Sequence, residues 1–213
     1  ILAGAMQDYG RAVIVGSPQS FGKGTVQTFV ELNRFLNTND DFGALKLTIQ
    51  KFYRVNGKST QLKGVESDIP MKDLFTYEEI GERYDNYALP WDQVSTSSFS
   101  PLNNLNKANL VSNSAKRLAQ NKNYQLLLES AQWKEKLDKE EKVTLNLKEF
   151  EELMKVRKAQ IEKFRSLAKF SNGLNFSLHA DEVKRAKTDE VFAKKSENWL
   201  KNLKRDIYLQ ETV

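Results

Sequence analysis

The sequence predicts a mixed α/β segment followed by a mainly α-helical C-terminal domain, and three observations carry that prediction. Nine of the ten glycines fall before residue 95, together with the β-branched runs. Beyond residue 95 the chain is rich in Lys, Glu, Leu, Ala and Asn, with Gly173 alone, a composition suited to helices. Apolar residues partly alternate in the first half and recur at helical spacing in the second. The division is expected as residues 1–84, a connector at 85–104, and residues 105–213. The connector has linker composition, but Leu89, Trp91 and Phe99 in it are expected to dock on a neighbour.

Taken in order, residues 1–9 read as a helix ending at Gly10, and Ala12-Val-Ile-Val-Gly16 as a buried strand. Residues 25–32 form the next strand. A loop around residues 37–43 leads into residues 44–55, whose partial alternation predicts another strand, and Asn56-Gly57 supplies a hairpin turn signal. Thr76-Tyr-Glu-Glu79 has the capping-box pattern and predicts a short helix. In the second half one helix is expected over 106–139, another from an Asn146 cap with Glu149 three residues on, and a last from about residue 181. Phe150, Leu153, Ile161, Phe164 and Ala168 fall near one face, as do Phe192, Trp199, Leu203 and Ile207, so at least three helices are expected to share a core. Val143-Thr-Leu-Asn-Leu147 alternates and predicts a short strand before the second of them.

The net charge of +5 is unevenly divided. Residues 1–95 hold 10 Lys and Arg against 12 Asp and Glu, and the remainder holds 23 against 16. The lysines of the basic half alternate with glutamates, as in Lys139-Glu-Glu-Lys142, and no nucleic-acid-binding motif is present, so the reading is a solvated helix surface and no nucleic-acid partner. With no cysteine and His179 as the one histidine, a usual zinc site is excluded, and no cofactor or metal is expected. His179 reads as a loop or helix-start residue. No apolar run approaches the ~20 residues of a membrane span.

The chemistry points to Gly16-Ser-Pro-Gln-Ser-Phe-Gly-Lys-Gly-Thr-Val-Gln27. Lys23 stands between two glycines, which let backbone come close and take positive φ angles, so its amine can be aimed into a crowded site. A phosphate-binding loop does not fit. Its first glycine would fall at Ser17, and Gly24 stands where a hydroxyl should follow the lysine.

Residues 1–70 resemble the tail-specific, or C-terminal processing, peptidases (Prc type), serine endopeptidases of the bacterial envelope that use a serine–lysine dyad. The likeness rests on Ala5-Met-Gln-Asp-Tyr-Gly-Arg-Ala12, Phe21-Gly-Lys-Gly-Thr-Val-Gln27, Ile49-Gln-Lys-Phe-Tyr-Arg-Val-Asn-Gly57, Ser59-Thr-Gln61 and Lys63-Gly-Val-Glu-Ser-Asp-Ile69. Asn86-Tyr-Ala-Leu-Pro-Trp-Asp-Gln93 looks like the join between protease core and helical C-terminal domain. The resemblance implies that Lys23 is the general base and that Gln27 helps to hold its amine. It implies a nucleophilic serine upstream of Ile1, so the chain is expected to be inactive alone; Ser17 and Ser20 match no reacting position. It also implies a periplasmic, cell-envelope setting and protein substrates with unstructured, apolar C-termini, and it leaves membrane association of the parent and the oligomeric state open.

A serine hydroxyl needs a base within hydrogen-bond reach, and lysine is one only when neutral. Burial in an apolar pocket without a carboxylate partner would favour that form. The nearest acids in sequence, Asp8 and Glu31, are not close, which agrees. In an extended strand residues four apart are separated by about 13 Å, so contact of Gln27 with Lys23 requires a bend near Gly24. The competing expectation is a non-catalytic helical interaction or dimerisation module that keeps a degenerate protease segment.

Overall fold

The computed structural model describes residues 1–35, 40–102 and 105–213, so part of the loop expected at 37–43 lies outside the described residues. The chain forms two compact units, one of residues 1–70 and 79–108, the other of residues 71–78 and 109–213. A mixed first segment followed by a mainly helical C-terminal region is the architecture observed.

In the first unit, α1 (Leu2–Asp8) ends where the glycine predicts. Gly10 adopts a φ of 63°, its N–H donates to Gln7 O, and Arg11 N–H reaches back to Met6 O, so the last carbonyls of the helix are satisfied. The buried strand expected over 12–16 shrinks to β1 (Val15–Gly16), half-buried and parallel to β4 (Ile69–Pro70). Just ahead of it, Ile14 N–H donates to the Asp68 carboxylate at 2.8 Å in place of a ladder carbonyl. β2 (Thr25–Glu31) pairs antiparallel with β3 (Ala44–Lys51), with a register irregularity between Val26 and Gln27. The described part of the connecting segment includes a 3-10 turn at Leu32–Phe35.

The turn signal at Asn56-Gly57 is borne out. Gly57 N–H donates to Arg54 O at 2.8 Å with φ of 80°, and Tyr53 bridges Ser59 across the turn. Arg54 grips Asp8 of α1 with two guanidinium nitrogens, at 2.8 and 2.5 Å, and Asn56 donates to the same carboxylate. Both members of the pair are largely buried, so removing one would strand a charge in low dielectric. In the connector, Trp91 docks by donating its indole N–H to Ser59 O at 2.9 Å, and Phe99 meets the Tyr9 ring edge-on at 5.6 Å. Leu89 stays exposed.

The second unit contains α2 (Lys107–Gln120, from its third residue), α3 (Lys122–Asp138), α4 (Leu147–Phe164), α5 (Ala180–Ala186), α6 (Glu190–Lys204) and α7 (Ile207–Thr212). The single helix expected over 106–139 is two. Asn121 breaks it by leaving helical dihedrals and accepting the N–H groups of Asn123 and Tyr124, which makes it the N-cap of α3. Asn146 caps α4 as expected, while Glu149 bonds the Thr144 hydroxyl. His179 is a helix-start residue: it caps α5 together with Glu182. Asp189 and Asp206 do the same for α6 and α7, so the expected last helix is divided into three.

Three expectations are corrected here. Thr76–Glu79 opens no helix, because Asp73 and Thr76 exchange side-chain bonds with each other's turn and Gly81 follows at a φ of 140°. Residues 143–147 form no strand, and Leu145 is fully exposed without a pairing partner segment. The apolar stripes only partly reach a core: α4 buries no residue, Phe150, Ile161 and Trp199 are exposed, and Phe164 packs on Trp133 at 5.7 Å. The buried apolar residues of this unit are Met71, Leu118, Tyr124, Ala131 and Ile207.

Residues 71–78 join the helices through backbone bonds. Lys72 N–H donates to the Tyr124 hydroxyl at 2.8 Å, and the Tyr208 hydroxyl donates to Lys72 O at 3.3 Å. Burial pushes both phenols above their ordinary titration range, so they remain neutral donors and acceptors.

Two outcomes follow from these contacts. Asn172 is buried, donates to Leu203 O and Asp206 O at 2.7 and 3.0 Å, and accepts from Leu174 N–H, so it satisfies carbonyls at the α6–α7 corner. Asn172→Ala is expected to lower stability by about 2 kcal/mol in urea unfolding, because those carbonyls lose their donors; an unchanged midpoint would contradict the assignment. Asp68 is the second case. Burial alone would raise its carboxyl, but the Ile14 N–H and the Lys107 ammonium at 3.0 Å outweigh it and hold the group below the ordinary carboxylate range. A lowered folded value adds stability above the unfolded titration near pH ~4, and that stability is lost as pH falls through the folded value. The stability gap between wild type and Asp68→Asn should therefore close on acidification, as read by unfolding from about pH 6 down to pH 2.

Candidate active site

The Lys23 turn is fixed by three stretches far away in sequence, at Phe52, at residues 60–62 and at Glu82. Phe21 O accepts Glu82 N–H at 2.9 Å, Gly22 O accepts Leu62 N–H at 2.7 Å, and Lys23 O accepts the Thr60 hydroxyl at 3.3 Å. Gly24 N–H donates to the Gln61 side-chain oxygen at 2.8 Å, and Gly24 O accepts Phe52 N–H at 3.0 Å. Backbone groups on four consecutive residues thus have assigned partners. A turn held this way keeps the lysine's Cα in place while the side chain remains free to choose its direction.

The two glycines serve different ends. Gly22 has a φ of 91°, in the region that L-residues rarely adopt. Gly24 is needed for close approach: a Cβ there would lie 2.7 Å from Gln61 N and 2.8 Å from Ser59 Oγ. On the opposing side Leu62 is the one non-glycine residue with positive φ among the described residues, at 62°. That strain, on the order of 1–2 kcal/mol, sits where the 59–64 loop meets the lysine turn.

The surroundings of the amine correct the sequence expectation. Lys23 Nζ lies 3.4 Å from Glu82 Oε1, and its side chain is 39% exposed against 9% for Glu82. It is neither buried in an apolar pocket nor free of carboxylates. Sequence distance misled here, because Glu82 follows Lys23 by 59 residues and reaches it through the 3-10 turn at Glu82–Tyr84. The same Glu82 oxygen accepts from Gln61 Nε2 at 3.2 Å, and Gln61 is wholly buried.

Gln27 lies on β2, and its amide donates to the Thr48 hydroxyl of β3 at 3.4 Å. Lys23 precedes that strand, which begins at Thr25, and the register irregularity falls between Val26 and Gln27, so the chain between the two residues is not a straight strand. Lys23 and Gln27 nevertheless have different recorded side-chain partners, Glu82 and Thr48. Ser20 is occupied structurally, its hydroxyl accepting from Val65 N–H, and Ser59 accepts from Gln61 N–H.

Sequence reasoning missed Gln61 and Glu82 as parts of this site. Gln61 was visible within Ser59-Thr-Gln61, a run that matched the family without suggesting a task. Glu82 carried no local signal at all.

Comparisons with known proteins match both parts of the chain. Residues 75–213 match the C-terminal domain of tail specific protease (DUF3340), and residues 1–71 match Peptidase family S41. The chain therefore belongs to the tail-specific protease family, in which a peptidase-family segment is followed by that C-terminal domain. It is 47% identical over 107 residues to the Tail-specific protease of Haemophilus influenzae, covering 50% of this chain and 15% of that protein. It is 40% identical over 87 residues to the Carboxy-terminal-processing protease of Bartonella bacilliformis, covering 41% and 17%. Over 69 residues it is 38% identical to the Carboxyl-terminal-processing peptidase 3, chloroplastic, of Arabidopsis thaliana, covering 32% and 12%. The matches thus span less than a fifth of each relative's own length.

The packing of Gly24 gives a direct check on the clamp. Gly24→Ala should destabilise the chain by about 2 kcal/mol, as overpacking against backbone does, whereas Gly43→Ala, whose Cβ would meet nothing within 4 Å, carries only the backbone strain of its positive φ. Thermal or urea unfolding of the two variants measures the difference; a harmless Gly24→Ala would contradict the close approach.

Proposed function

We propose that this chain is part of a serine endopeptidase in which Lys23 is the general base and Gln27 supports its amine. The observation that carries the reading is the Lys23 turn itself, clamped from Phe21 to Gly24 within the segment that matches the peptidase family. A catalytic base has to be held within hydrogen-bond reach of the proton it removes, and a backbone clamp on both sides of one lysine supplies that constraint. It is the likeness to the family that assigns the nucleophilic serine to the parent upstream of Ile1; on the lysine's own loop, the Ser20 hydroxyl accepts Val65 N–H.

In the proposed reaction, neutral Lys23 takes the serine proton as the hydroxyl oxygen attacks the scissile carbonyl. The resulting ammonium then returns a proton to the departing amine, leaving an acyl-serine. Water repeats the sequence and releases the new C-terminus. Gln27 can accept from the amine through its side-chain carbonyl without adding charge, once it turns from Thr48. The parent is assigned to the periplasm, with substrates that present unstructured, apolar C-termini, and the 213-residue chain alone is expected to be inactive.

A second reading has an observation in its favour. The pairing of Lys23 with Glu82 is also what a structural lysine would show, which suits a non-catalytic interaction module with a degenerate protease segment. Hydrolysis of an unfolded, apolar-tailed protein by the full-length protein separates the two. Lys23→Ala is expected to abolish turnover with folding retained, and Gln27→Ala to reduce it less; near wild-type activity of folded Lys23→Ala would end the dyad assignment.

A further inference from the structure

Lys23 stands between two glycines, the residues whose backbone turns most freely, so the chain itself does little to fix the direction of its Cα–Cβ bond. Bonds from outside the turn have to supply it. The planar peptide that follows Lys23 is held at both of its polar atoms: Lys23 O accepts the Thr60 hydroxyl at 3.3 Å, and Gly24 N–H donates to Gln61 Oε1 at 2.8 Å. Gln61 is wholly buried, and its Nε2 donates to Glu82 at 3.2 Å, so the two ends of its amide have different partners. A flipped amide would set its NH2 against Gly24 N–H and its oxygen against the carboxylate, losing both bonds, so the side chain has one orientation. The loop that carries it is pinned beside the turn as well. Gly22 O accepts Leu62 N–H at 2.7 Å, Ser20 N–H donates to Val65 O at 3.0 Å, and a Cβ on Gly64 would collide with Ser20 O.

We propose that Gln61 is a positioning residue of the peptidase, whose buried amide fixes the Lys23–Gly24 peptide plane and with it the line along which the lysine amine approaches the serine. The role rests on Lys23 being the general base. A base must lie within hydrogen-bond reach of the proton it takes, about 2.6–3.2 Å, and the lysine amine sits at the end of a four-carbon stem. A small rotation of the backbone below that stem is therefore magnified at the amine. Misplacement on the order of 1 Å costs up to about a hundredfold in rate. Gln61 bonds the lysine's backbone and not its amine, and being wholly buried it meets no substrate. Its loss should accordingly appear in kcat and not in KM.

The test is kcat and KM of the full-length peptidase on an unfolded, apolar-tailed protein, each variant first shown by thermal unfolding to be folded at the assay temperature. Gln61→Met fills a similar volume without either bond, and kcat is expected to fall by about 10- to 100-fold with KM within about twofold. A residue with a structural role only would lower the melting temperature and leave kcat of the folded enzyme in place. A kcat within about twofold of wild type, or a loss confined to KM, would therefore overturn the proposal. In Gln61→Glu the acceptor for Gly24 N–H remains but two carboxylates face each other; adding Glu82→Gln restores a donor with the polarity reversed, and should recover about tenfold in kcat. Equal kcat in those two folded forms would also overturn it. Should none of the variants fold, the wild-type 213-residue chain decides: hydrogen exchange at the Gly24 amide is expected to be at least about tenfold slower than at an unstructured glycine, and unprotected exchange there would contradict the role. Failure of the dyad reading is recognised separately, by hydrolysis surviving in folded Lys23→Ala.

Discussion

The buried Gln61 side chain is the contact on which the rest of the site depends. Its oxygen takes the N–H of Gly24 and its nitrogen donates to Glu82, so one amide with no exposed surface joins the lysine turn to the segment that follows residues 71–78. A buried amide of this kind is stable only when both ends are satisfied, and here each end serves a different chain segment. The neighbouring Thr60 and Leu62 add bonds to Lys23 O and Gly22 O, and the positive φ of Leu62 shows that the loop accepts strain to make them. Gly24 follows from the same constraint, since no other residue leaves room for Gln61 at that distance.

That clamp gives the family match a physical content. The peptidase-family segment supplies a lysine whose backbone is held on both sides, while its side chain is partly exposed and paired with a carboxylate. A fixed turn with a reorientable side chain suits a base that must change protonation state and partner during turnover. The helical unit is organised differently, by side-chain caps at Asn121, Asn146, His179, Asp189 and Asp206 that start α3, α4, α5, α6 and α7. Those caps explain why a strongly charged sequence with little buried apolar surface still forms discrete helices.

Much of this was legible in the sequence where the cause is local. The glycine after α1, the Asn56-Gly57 turn, the Asn146 cap and the helix-start role of His179 all follow from residues within a few positions of the feature, whereas the docking of Trp91 and Phe99 was legible only as apolar rings in a linker, not as contacts with Ser59 and Tyr9. The lysine between two glycines was legible as a local pattern. What failed depended on distant partners or on competition between local signals. The Thr76–Glu79 pattern lost to a side-chain exchange between Asp73 and Thr76, and the 106–139 helix lost to an asparagine whose preference for capping exceeds its preference for helix. Glu82 is the clearest case, because nothing in the sequence between the two shows that this carboxylate, 59 positions on, returns to Lys23. The apolar stripe of α4 was read correctly as a stripe, but periodicity does not say whether a face is covered, and here it is largely exposed.

The central claim is that a turn held by Gln61 presents Lys23 to a serine nucleophile, and a crystal structure of the full-length protein with a peptide acylated on its nucleophile tests it most directly. The account predicts Lys23 Nζ within hydrogen-bond reach, about 2.6–3.2 Å, of the acylated serine oxygen, with the bond from Gly24 N–H to Gln61 intact. A lysine still seated on Glu82 and remote from the acylated serine would contradict it.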